Sequence, residues 1–145
     1  MTIARTPSGE ALAKAHTDLV DEHRALRGLL GRLRELQDPA GLAALLDELH
    51  GKLKTHIEHE EFPGGLYESM GALGPRHAHE VRQLVDQHFQ FLAKVRSLAD
   101  EVRGARAPVD ERILKDAVGL VEQIHAHEAV ETRLAEQILA AGSGL

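Results

Sequence analysis

The stretch LVEQIHAHEAVETRLAEQI, residues 120–138, advances its apolar side chains in steps of three and four, so that Leu120, Ile124, Leu134 and Ile138 share one face of a helix. Between Ile124 and Leu134 that same face passes through His127 and Glu131. A carboxylate or imidazole without partners in an apolar interior costs several kcal/mol. Something inside the fold must therefore receive this pair.

The pattern recurs upstream. In HIEHEEFPGG, residues 56–65, the stripe Leu42, Leu45, Leu49, Leu53 continues to His56 and then Glu60 before the helix stops at Pro63-Gly64-Gly65. An earlier segment sets His23 between Leu19 and Leu26, and a third sets His88 between Leu84 and Phe91 or Leu92. Residues four apart lie on one helix face, so each His and Glu pair reaches one centre. Each long segment thus turns at least one histidine inward.

Glycine and proline divide the chain into four such segments. The first runs from about Ser8 or Glu10 to Leu36. The second opens with Asp38 as N-cap and Pro39 at the first helical position. A short piece, LYESMGALG, is long enough for one or two helical turns before Pro75. The third segment closes at Gly104, and the fourth opens near Pro108-Val109-Asp110 and ends before Gly142. LVDEH at residues 19–23 is echoed by LVDQH at 84–88, a weak sign of two similar halves. The expected architecture is all-α, an antiparallel up-down-up-down four-helix bundle forming one domain over residues 1–145.

Composition narrows the function. The 145 residues carry a net charge of −6, with 17 Lys and Arg scattered among 23 acids, so no basic stripe is available for a phosphate backbone and no nucleic-acid partner is expected. The N-terminus lacks the apolar run of a secretion signal, and no stretch approaches the ~18 consecutive apolar residues of a membrane span. A soluble, cytoplasmic protein without a membrane partner is the expectation. Cysteine is absent, which excludes thiolate catalysis and sulfur-ligated metal sites. The oddity is ten histidines against three phenylalanines and one tyrosine.

Neutral imidazole and ionised carboxylate are the ligands that iron, manganese or zinc accept. Inward-facing His and Glu on four bundle helices are an established way to build a two-metal carboxylate centre. The candidate ligands are His23, His56, Glu60, His88, His127 and Glu131, with both glutamates able to bridge. Two six-coordinate ions have about twelve positions, and these residues fill eight of them if both acids bridge. Solvent, an oxo or hydroxo bridge or a bound small molecule would take the rest, and an open position is what lets a metal site do chemistry.

The order of these elements resembles the hemerythrin-like, or HHE cation-binding, family: His on helix one, His-x-x-x-Glu on helix two, His on helix three and His-x-x-x-Glu on helix four. Here they read DEHRAL at His23, HIEHE at His56 and Glu60, DQHFQF at His88 and HEAVE at His127 and Glu131. The resemblance implies a hemerythrin-like bundle holding two non-heme irons that meet dioxygen, nitric oxide or peroxide for sensing, storage or detoxification. Oxygen-carrying members have a further helix-three histidine where this chain has Leu84, and an aspartate where it has Thr132. Simple reversible oxygen carriage is therefore not expected. Iron-sensing members place an acid where this chain has Ile57, so that role is unsupported too. An enzyme that decomposes peroxide or reduces nitric oxide, and a module holding structural zinc, stay open as alternatives; manganese is not excluded.

The remaining polar residues get plainer readings. Asp21 and Glu22 form a charged outer face, and Glu58, His59 and Glu61 are solvated, with His59 or Glu61 a candidate outer partner of the ligands. His125 points away from the core. His16 is a second-layer polar group, and His77 and His79 belong to the bundle's end. Tyr67 either lines an entrance near the end of helix two or packs on the surface. That entrance would be a short path for a small molecule.

Overall fold

The computed structural model describes residues 9–33, 35, 38–62, 65–105 and 109–143. Among these the chain forms helices α1 (Gly9–Leu33), α2 (Pro39–Glu61), α3 (Leu66–Leu73), α4 (Ala78–Arg103) and α5 (Glu111–Ser143), with a 3₁₀ turn at Pro75–His77 leading into α4. The helix starts follow local chemistry. Asp38 caps α2 by accepting a hydrogen bond from the Gly41 amide at 2.9 Å, with Pro39 inside the first turn, a device worth about 1 kcal/mol. At α5 the Asp110 carboxylate accepts from the Arg112 amide at 2.8 Å.

Helix α1 closes at Leu33, and the Glu35 amide turns back to the Arg32 carbonyl. One boundary departs from expectation. The last helix runs through Gly142 to Ser143. Ser8, Leu36, Pro63, Gly64 and Pro108, also used as boundary signals, lie outside the described residues.

The four long helices form a ring in which α1 and α4 each pack against α2 and α5. One apolar cluster joins Leu26–Leu33 of α1, Leu42–Ile57 of α2, Phe91–Val102 of α4 and Ile113–Ile124 of α5. The late half of α1 thus meets the early half of α2, and the late half of α4 meets the early half of α5. Neighbours run antiparallel, as short connections require. A second cluster joins Leu12, Leu19, Leu84, Leu134, Ala135 and Ile138 with Leu66, Tyr67 and Met70 of α3.

Helix α3 touches all four long helices and closes the bundle where α2 ends. Gly65 makes this possible. A Cβ there would lie 2.5 Å from the His59 carbonyl oxygen and 2.8 Å from those of Glu60 and Phe62, all backbone atoms. Only glycine lets the chain fold back this tightly over the end of α2. The end at which a short path is expected carries the buried Leu66, Tyr67 and Met70. No described helix is long and apolar enough to cross a membrane.

Candidate metal centre

Between the two apolar clusters lies a buried polar belt. His23, His56, Glu60, His88, His127 and Glu131 are all buried, with Glu60 1% and Glu131 0% exposed. The helix phases inferred from the apolar stripes bring all six to one place. They form two overlapping sets of converging donor atoms, His23, His56, Glu60 and Glu131 in one and His88, His127, Glu60 and Glu131 in the other.

The donor spacing suits ions. His56 Nε2 lies 3.4 Å and His88 Nε2 3.1 Å from the same Glu60 oxygen, and His23 Nε2 lies 3.9 Å from the other. Glu131 spans both sets, with one oxygen 3.7 Å from His23 Nε2 and the other 3.5 Å from His127 Nε2. Donors held about 2.1 Å from one ion at right angles are about 3 Å apart, close to these separations. Buried atoms without a hydrogen-bond partner include His23 Nε2, Glu60 Oε2 and Glu131 Oε1, all at the first set. Buried polar groups are normally satisfied, and a cation would satisfy these three together.

Outer groups orient the rings. His56 Nδ1–H donates to Glu22 at 2.8 Å and His88 Nδ1–H to Glu61 at 2.7 Å. His127 Nδ1–H donates to Gln87 Oε1 at 2.6 Å. With the proton fixed on Nδ1, each ring turns its Nε2 inward, the arrangement that sets tautomer and ligand basicity in metal sites. Glu61, whose first reading is a solvated group, takes instead the alternative role of an outer partner. Glu22 does not stay on a solvated face; it reaches across from α1 to accept from both His56 and His59, the latter at 2.6 Å. Gln87 carried no sequence signal, since it sits beside the apolar stripe and meets His127 only across the α4–α5 seam.

The charges are strained as they stand. Burial would raise the Glu60 carboxyl, but the neighbouring Glu131, His23, His56 and His88 side chains outweigh it and hold Glu60 well below the usual range. Burial and then the Glu60 charge push Glu131 well above it. His127 is pushed down to about 3 by burial and then by His88. For His56, burial lowers the pKa but Glu60 and Glu22 raise it further. Two divalent cations would let both carboxylates ionise and every Nε2 bind as a neutral ligand.

Two further residues enter the centre. Tyr67, from α3, is buried against the second donor set, with its hydroxyl donating to Glu131 Oε2 at 2.5 Å and lying 2.9 Å from His88 Nε2. Glu128 is buried next to His127, and one of its oxygens has no partner. It belongs to a cavity of about 10 Å³ walled by Leu26, Leu53, Ile57, Phe91 and Ile124 and floored by His56, Glu60, His88 and His127. The signal for Glu128 was its place one step around the helix from His127. His77 instead pairs with Glu80 at 3.0 Å, His79 is exposed, and His16 and His125 are half-buried outside both donor sets.

Residues 14–138 match the family model described as hemerythrin HHE cation binding domain. No curated protein and no solved structure matches the chain.

Proposed function

The chain belongs to the hemerythrin HHE cation binding domain family, and from that premise we propose that it holds two iron ions and interacts through them with dioxygen, nitric oxide or peroxide. The observation that carries this reading is the pair of donor sets sharing Glu60 and Glu131. His23 and His56 would complete one set and His88 and His127 the other. The ligands are nitrogen and oxygen only, a set that suits iron and also accommodates manganese or zinc. Iron bound there would supply redox chemistry toward small oxidants and gases.

The chain's own groups do the rest. Glu22, Glu61 and Gln87 keep the Nδ1 protons in place and the rings aimed inward. The cavity beside the centre has room for about one water-sized molecule, which suits a very small ligand. Its apolar wall keeps bulk water away from whatever occupies it.

Anaerobic loading with ferrous iron, followed by elemental analysis and optical spectra before and after air, tests the reading. Two irons per chain are expected, with new oxo-to-iron absorption on oxidation and a spectrum that responds to azide or nitric oxide. A chain that takes up no iron, or that retains zinc and ignores oxygen, would overturn it.

A further inference from the structure

Resting on the two-ion reading above, we propose that Tyr67 is itself a metal ligand, its phenolic oxygen occupying a coordination position on the ion held by His88 and His127. The oxygen's location argues this. It lies 2.9 Å from His88 Nε2, 3.4 Å from His127 Nε2 and 2.5 Å from Glu131 Oε2, the inward-facing donor atoms of that set. An outer partner would sit at Nδ1, as Glu61 and Gln87 do. Cis donors around one ion are about 3 Å apart, so an oxygen this close to three of them shares their coordination sphere.

The fold commits to the placement. The Tyr67 ring stacks on His88 with centroids 5.2 Å apart and planes 11° from parallel, and Gly65 allows the tight return that inserts it. One turn before His88, α4 presents the buried Leu84, which offers no donor. On binding, the phenolic O–H bond breaks, an oxygen–metal bond forms, the proton passes to solvent and no electrons move. The His88–His127 ion then has five protein donors and the His23–His56 ion four. The two ions are then inequivalent, and the latter keeps more open positions.

The test compares the full chain with Tyr67→Phe, each loaded anaerobically with ferrous iron and then oxidised. The wild type should show a visible phenolate-to-ferric charge-transfer band, with tyrosinate ring modes enhanced in resonance Raman spectra excited within it. Tyr67→Phe should keep two irons and the oxo-to-iron absorption but lose that band and those modes. If the variant fails to fold, the wild-type Raman spectrum alone decides, since this is the chain's one tyrosine. Two irons without tyrosinate modes would overturn the ligand assignment while leaving the metal centre standing; no iron uptake would overturn both.

Discussion

His88 and His127 face each other with their Nε2 atoms 3.1 Å apart, while their Nδ1 atoms are held from outside by Glu61 and Gln87. Two nitrogen lone pairs aimed at one point repel unless a proton or a cation lies between them. The second donor set is built around that requirement, and the shared glutamates tie it to the first.

Sharing predicts an asymmetry among ligand variants. Glu60→Ala or Glu131→Ala removes a donor from both sets and should abolish binding of both ions. His23→Ala strips only one set and should leave about one iron per chain. Elemental analysis after desalting distinguishes them, and equal losses would contradict two sites joined by bridging carboxylates.

Removing an outer partner should weaken binding without abolishing it. Glu61→Ala frees His88 Nδ1, and loss of such a partner typically lowers metal affinity about 10–100-fold. Competition against a chelator of known affinity measures the change. An unchanged affinity would mean that packing alone orients the ring.

Without metal, the pH dependence of stability has a worked sign. Below 4.5 the lowered Glu60 and His127 values mean that the unfolded chain binds more protons, so stability falls with falling pH. Above 6.5 the raised value of His56 means that the folded chain binds more, so stability falls as pH rises, and the raised Glu131 acts in the same sense from 4.5 upward. Between these values the lowered His127 opposes the raised Glu131 and Glu128. Metal ligation requires the ionised carboxylate and neutral imidazole, so loading should move the optimum to higher pH, as denaturation with and without chelator will report. An optimum unmoved by metal would count against the centre.

Gly65→Ala should cost about 2 kcal/mol or more, because the added carbon meets three backbone carbonyls that cannot rotate away. The same change should lift Tyr67 from the centre. Urea denaturation gives the first effect, and tyrosine fluorescence with iodide quenching the second.

Glu128 is buried with one unpartnered oxygen, its carboxyl raised by burial. Glu128→Leu should therefore stabilise the metal-free chain by about 1 kcal/mol. A residue that costs stability beside a small cavity is the usual sign of function, so the same variant should alter the rate at which air oxidises the ferrous protein. Stopped-flow absorbance measures that rate.

The helices and the six candidate ligands were legible from the chain alone because both depend on the helical period. Once Leu120, Ile124, Leu134 and Ile138 define a buried face, the positions of His127 and Glu131 follow within a single helix, and the same holds for His56 and Glu60 after Leu53. Glu22, Gln87 and Tyr67 obey no such rule. Each reaches its partner from another helix, so its role depends on helix separation, rotation and the side chain's reach, which are set when the bundle packs. A tyrosine seven residues beyond Glu60 could have pointed anywhere until Gly65 folded α3 back over the bundle's end. Local periodicity decided which groups would be buried; packing between helices decided which atoms they would meet.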